Sequence, residues 1–347
     1  MKIAPSWPPA DRYRRFKTVD AHTEGEPFRV VVDGFPELRG DSILAYRRDA
    51  KERFDHLRKA LMWEPRGHAD MYGCLLTPAQ REDSDFGILF THNEGFSTMC
   101  GHGIIAISTV VLETGMVPVE AGRATVKTLK IDAPAGQITA HARWDGERVT
   151  SVFFHNVPSF VVETGARVEV PGLGTVSYDL AFGGAFYAYV DAASVGLGLD
   201  AESYRPIIRK GLQIKKAIME SRPIEHPFEA DLGFLYGVIF VGPAADPSHH
   251  SRNVCVFADG EVDRCPTGTG VSARVALHHA RGELGEGESM VIESILGSCF
   301  RAAVYRKVRF GPYEAVIPEV EGRAFITGRH EFLIDPHDDL RHGFILR

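Results

Sequence analysis

Two glycine-rich turns hold the residues of this chain best suited to moving protons. One is CGHG, Cys100–Gly103, and the other is TGTG, Thr267–Gly270, inside the stretch VDRCPTGTGVSAR. Each leads into an apolar run of helical character, IIAISTVVLE after the first and VSARVALHHAR after the second. Glycines at a strand-to-helix turn leave backbone N–H groups open, and the helix N-terminus adds partial positive charge. Two such turns facing each other form a cradle for a carboxylate. A thiol at the head of one turn gains more, because the same dipole favours thiolate and lowers its pKa from about 8.5. Cys100 therefore has the setting of a base or nucleophile, against the commoner fate of a free cysteine as a small core residue. Cys265 lies in the second turn, two residues before Thr267, and is the rival candidate.

The two turns belong to an internal repeat. Ser97–Gly115 aligns with Arg264–Gly282, so that Cys100-Gly101-His102-Gly103 falls on Thr267-Gly268-Thr269-Gly270. The lead-in aligns as well, with a strand-like segment (GILFTHNEG and NVCVFADGE), a polar turn and then the motif. A repeat spacing of about half the chain predicts two similar halves with a shared site between them. Glycine-rich turns of this kind are also frequent in ordinary strand-to-helix connections. GTGVSA, Gly268–Ala273, fits a dinucleotide fingerprint, but no βαβ continuation with a terminal acidic residue follows, and that reading is rejected.

The elements that must position these turns are mostly strands. Phe28–Val32, Gly87–Thr91, Thr125–Ile131, Val149–His155, Phe186–Val190, Gly237–Val241, Val254–Ala258 and Ala315–Val320 read as strands between Gly, Pro, Asp and Asn turns. Pro318 restricts the last of these to a sheet edge. Helices are expected at Ile43–Trp63, Ala201–Glu220, Ile104–Glu113 and Val271–Arg281, the last two apolar enough to be buried. Many strands with few helices indicate an α+β fold. Composition fits a soluble globular protein: 347 residues, 44% hydrophobic and 24% charged. A net charge of -7 argues against binding nucleic acid through its phosphates. No apolar run reaches the roughly 18 residues of a membrane span, and the N-terminal stretch has no signal-peptide core. Five irregularly spaced cysteines suggest reduced thiols in the cytoplasm. Without C-x-x-C or H-E-x-x-H spacing, no metal site is expected. The pairs His249-His250 and His278-His279 read as solvated.

CGHG and DRCPTGTG, with DAHTEGEP (Asp20–Pro27), EPRGHADMYG (Glu64–Gly73), HNEGFSTM (His92–Met99) and AFGGAFYAYVDA (Ala181–Ala192), resemble the proline racemase family over nearly the whole chain. The resemblance implies a fold similar to diaminopimelate epimerase, with two pseudo-symmetric halves, each a curved β-sheet around a central helix, and the active site between them. The halves are expected at residues 1–158, completed by 330–347, and at 159–329. It also implies cofactor-independent chemistry at the Cα of a small imino acid. Racemases and epimerases of the family carry a cysteine in each turn; here the second is Thr267, which cannot ionise near neutral pH. Cys first and threonine second resembles the trans-3-hydroxy-L-proline dehydratases, which need one base only. Cys100 is then the catalytic base, with Thr267 in the place of the second.

By the same resemblance, the backbone N–H groups of Gly101, His102, Gly268 and Thr269 would bind the substrate carboxylate. Asp263 would pair with the ring ammonium, and His226 would contact the ligand. His68 and Asp70 have no assigned role. The family's usual serine is replaced here by Cys265, which a packing role explains more simply than catalysis. The alternatives are a 4-hydroxyproline 2-epimerase or proline racemase using Cys100 with Cys265, and a non-catalytic imino-acid binder. A homodimer is the assembly to test.

Overall fold

The computed structural model describes Trp7 and residues 12–346; most of the N-terminal stretch and Arg347 lie outside the described residues. Among the described residues there are four α-helices: α1 (Ile43–Met62), α2 (Gly101–Glu113), α3 (Tyr204–Ser221) and α4 (Gly268–Ala280). The helix after CGHG, α2, is apolar on every side, and all its residues from Gly101 to Leu112 are buried. Its counterpart α4 is buried from Gly268 to His278. A helix without a polar face has to be surrounded, and here strands do so. The strands Arg14–Thr23, Gly136–Trp144, Val149–His155 and Ala324–Ile334 pack round α2, and Ser159–Val170, Gly174–Phe182, Cys299–Phe310 and Tyr313–Gly322 round α4. The two amphipathic helices lie outside, α1 against Phe86–Thr91 and α3 against Leu235–Gly242.

The repeat seen around the two turns extends through the topology. In each half a strand crosses over a peripheral helix into a parallel partner: Glu26–Asp33 through α1 to Gly73–Thr77, and Phe186–Asp191 through α3 to Leu235–Gly242. An antiparallel strand follows, then a two-residue strand (Phe96–Ser97 or Glu261–Val262), then the motif and the buried helix. The chain next enters a strand parallel to the antiparallel one, Thr125–Ala133 or Ser289–Glu293. Each half closes on a borrowed strand. Ser159–Val170 pairs with Gly174–Phe182, while Ala324–Ile334 returns to pair with Arg14–Thr23 along its full length. Strands Val149–His155 and Tyr313–Gly322 join the halves into one continuous set of pairings.

Pro318 is not at an edge. Its strand, Tyr313–Gly322, is paired on both sides, and the proline occupies a gap in each ladder. On one side the partner bulges between Val304 and Arg306, opposite Pro318. On the other, pairing passes from Val149–His155 to Ser159–Val170, and the Pro318 carbonyl accepts Asn156 N–H at 2.9 Å. The missing N–H is therefore needed by neither neighbour.

The motif DAHTEGEP supplies a buried ion pair. Arg29 donates from Nε and Nη2 to Asp20 (3.0 and 2.7 Å) and from Nη1 to the carbonyls of Leu61 (2.6 Å) and Arg66 (2.7 Å). Its guanidinium also stacks over Phe332, 4.3 Å from the ring centre. Replacing Arg29 by Met strands the Asp20 carboxylate and two carbonyls. A loss of about 3 kcal/mol in denaturant unfolding is expected; a loss under about 1 kcal/mol would show that this network holds little of the fold.

Candidate active site

The N-termini of α2 and α4 meet head to head. A Cβ placed on Gly101 would lie 2.6 Å from Gly268 Cα, and one on Gly268 would lie 2.7 Å from Gly101 Cα. Both obstacles are backbone, so only glycine permits this approach. The glycines next to the two functional positions thus set the distance between the halves.

Cys100 is the N-cap of α2, and its Sγ accepts Gly103 N–H at 3.2 Å. Sγ also lies 3.2 Å from His102 Nδ1, and the His102 carbonyl accepts the Thr23 hydroxyl at 2.8 Å. Thr267 is the N-cap of α4, but with φ 68° and ψ 94°, where a β-branched residue is strained. Its hydroxyl caps nothing and makes no hydrogen bond of good geometry, lying only beside the buried Cys255 thiol. The two equivalent positions are therefore used differently. Around them Tyr72, Tyr236, Tyr187, Phe257, Met99 and Asp263 enclose a cavity of about 10 Å³, the space of about one water. Tyr236 and His92 also face a wider cleft of about 650 Å³ between α1 and α3. An imino acid fits the inner cavity only once the halves part.

Burial dominates the electrostatics. It pushes the Cys100 thiol well above the ordinary range; the Asp263 and Glu26 carboxyls push the same way, against the Gly103 N–H. The helix terminus was expected to lower this pKa, but desolvation of a closed, anionic pocket outweighs it. Burial holds His102 down to about 4, against the pull of Asp263, so the imidazole is neutral. Glu26, fully buried and facing Asp263, is pushed well up, with Arg264 opposing.

The remaining motifs clasp the halves around this cavity. Glu26 accepts Arg264 N–H at 2.6 Å, and Arg264 Nη2 donates to Asp70 at 2.8 Å. Asp70 also accepts Val262 N–H (3.3 Å) and the Tyr204 hydroxyl (3.0 Å). Glu261 accepts Asn93 N–H at 2.7 Å. Asp70, which has no role assigned from the sequence, is thus a fastener between the two parts.

Cys100, Gly101, His102, Asp263, Thr267, Gly268 and Thr269 converge on the cavity. His226 does not. It lies outside, its ring against Phe182 and Phe310, with Nδ1 accepting Glu229 N–H at 3.0 Å. The histidine pairs are not simply solvated either. His278 is buried between Arg274 (2.9 Å) and Glu283 (2.5 Å), and His249 Nδ1 meets Glu293 at 3.0 Å. The cavity's aromatic wall was not read from the sequence. Tyr72 and Tyr236 share a hydroxyl contact of 3.2 Å, and Tyr187 meets the Thr269 hydroxyl at 2.7 Å. Tyr72 and Tyr187 lie within the quoted motifs, yet isolated tyrosines carry no spacing signal. Cys265, although outside the cavity wall, places its sulfur within 4.8 Å of ligating atoms of His102 and Asp263. No helix among the described residues is long and apolar enough to cross a membrane.

The proline racemase family model matches residues 18–345. The chain belongs to the proline racemase family. Among its relatives is a trans-3-hydroxy-L-proline dehydratase of Colwellia psychrerythraea, 49% identical over 97% of this chain and 94% of that one. Another is a 3-hydroxyproline 2-epimerase of Burkholderia multivorans, 46% identical over 96% and 99%. A solved hydroxyproline epimerase from Agrobacterium vitis, with bound trans-4-hydroxy-L-proline, superposes with a TM-score of 0.91 at 31% identity, covering 97% and 96%. The fold of this member of the family is accordingly the diaminopimelate epimerase-like α+β arrangement, a pair of helix-centred halves with the cavity between them.

Gly268→Ala tests the contact on which the cavity depends. It should lower turnover by at least about 100-fold by misplacing the two turns, whereas Gly95→Ala, with nothing within 4 Å of the new Cβ, should be neutral. Steady-state assay and thermal melting of both variants check this, and an active Gly268→Ala protein would refute it.

Proposed function

We propose that the protein dehydrates trans-3-hydroxy-L-proline, without a cofactor, in the closed cavity between its halves. The observation that carries this reading is the pairing of Cys100 with Thr267 across the helix junction: one group able to become a base, facing one that is not. The relatives named as dehydratases support it.

In this mechanism the open N–H groups at Gly101, His102, Gly268 and Thr269 hold the substrate carboxylate, and Asp263 pairs with the ring ammonium. That ammonium offsets the Asp263 charge, which is one of the forces holding the Cys100 thiol protonated. Substrate binding thus makes its own base more acidic. The Cys100 thiolate takes the Cα proton, and the helix N-termini stabilise the charge that develops on the carboxylate. The C3–O bond then breaks, the Cα–C3 double bond forms, and the hydroxyl leaves as water. The proton it needs comes from the thiol just formed, from His102 or from Thr267. The Δ2-pyrroline-2-carboxylate product tautomerises to the Δ1-imine. His102, neutral and 3.2 Å from the sulfur, is placed to pass on the thiol proton, not to store it as an imidazolium.

A second reading is epimerisation by Cys100 and Cys265. It is favoured by the approach of the Cys265 sulfur to within 4.8 Å of His102 and Asp263, and by the relative named as an epimerase.

Side-by-side assay of trans-3-hydroxy-L-proline, 4-hydroxyproline and L-proline, reading imine formation and Cα inversion separately, distinguishes the two. Imine from the first substrate alone is expected, with Cys100→Ser inactive and Cys265→Ser retaining most turnover. Inversion lost on Cys265→Ser would establish the epimerase instead. The pH profile is a further check. Because burial raises the free thiol's pKa, kcat/KM should climb with pH to beyond about 8.5. The profile of kcat, which reports the substrate complex, should level off at lower pH. The reverse order would contradict the role given to the substrate ammonium.

A further inference from the structure

His102, Asp263 and Cys265 come from turns in opposite halves, and no ligand spacing in the sequence joins them. In the fold an imidazole nitrogen, a carboxylate oxygen and a thiol sulfur lie within 4.8 Å of one another, all buried. Tetrahedral ligands about 2.0–2.3 Å from a zinc ion stand roughly 3.3–3.8 Å apart, so movements of about 1 Å would close this set. The Cys100 sulfur, 3.2 Å from His102 Nδ1, lies beside this set but is not one of it. The Asp263 carboxyl accepts Cys265 N–H at 3.0 Å and also hydrogen-bonds the Cys265 thiol, whose proton a metal would replace. The neighbouring Arg264 guanidinium turns away from this set to Asp70. Cys265 has no part in the proposed dehydration, and its thiol gives this pocket a softer donor than a serine hydroxyl would.

We infer that the pocket is a binding site for a thiophilic divalent cation of the Zn²⁺ class, held by His102, Asp263 and Cys265 and completed by water. Binding exchanges water ligands on the ion for protein ligands and releases the Cys265 thiol proton to solvent, with no change of oxidation state. An ion there takes up the Asp263 oxygen that would otherwise pair with the ring ammonium, and so excludes the imino acid. That exclusion rests on the function proposed above, whereas the binding does not.

Untagged, fully reduced protein titrated with Co²⁺ and with Zn²⁺ tests the site. One equivalent of Co²⁺ should give thiolate-to-metal charge-transfer absorption, which Zn²⁺ displaces. Cys265→Ser should bind Zn²⁺ at least about tenfold more weakly, and Cys265→Ala serves if the serine variant fails to fold. Absence of the absorption band, or a loss of affinity below tenfold, would overturn the proposal. Zn²⁺ inhibition competitive with trans-3-hydroxy-L-proline and reversed by chelator is the expected companion result. Stoichiometric binding without inhibition would place the metal site correctly but separate it from the reaction cavity, overturning the exclusion.

Discussion

The backbone contact between Gly101 and Gly268 governs this structure. Two fully buried helices point their N-termini at each other, and nothing larger than hydrogen fits between them. Every part of the site inherits its position from that contact. The N-cap residues Cys100 and Thr267 stand on either side of it, and open N–H groups surround it. Two positive helix ends so close together repel, and an anion between them relieves that repulsion. Carboxylate chemistry is thus favoured by the architecture before any side chain is considered.

Holding the helix ends together falls to groups remote from the chemistry. Arg264 ties Glu26 to Asp70, and Glu261 ties its hairpin to Asn93, each across the division between halves. These are charged hydrogen bonds in buried or half-buried settings, where losing one partner leaves the other stranded. They also explain why so much of the DAHTEGEP and EPRGHADMYG motifs serves structure. The cavity that this clasp closes holds about 10 Å³. Closure then desolvates the thiol, raising its pKa when empty and strengthening its interactions when substrate is present.

Pseudo-symmetry makes the differences between the halves informative. Cys100 caps its helix through sulfur with ordinary extended backbone, whereas Thr267 is held at positive φ with its hydroxyl unused by the cap. Strain of this kind persists only where the surroundings enforce it. One half therefore presents an ionisable group and the other a fixed hydroxyl. That is the asymmetry a lyase can use and a two-base racemase cannot.

The α+β class, the two buried helices and the residues at both turns were all legible in the letters. Apolar periodicity and local Gly-x-Gly spacing are properties of neighbouring residues, and the repeat could be found by aligning the chain with itself. Pro318 misled because its missing N–H is excused by a bulge on another strand. His226 misled because its ring packs on phenylalanines outside the cavity. The aromatic wall of Tyr72, Tyr187 and Tyr236, the Asp70 fastener and the approach of Cys265 to His102 come from contacts between distant segments. By itself the sequence determined which groups are available and that only one of the two equivalent positions carries a thiol, the group that could serve as a base. The tertiary structure alone decided the environment of that base. Whether burial or the helix dipole prevails at Cys100 depends on how much water is excluded and which carboxyls are near, and both are set by how the two halves close.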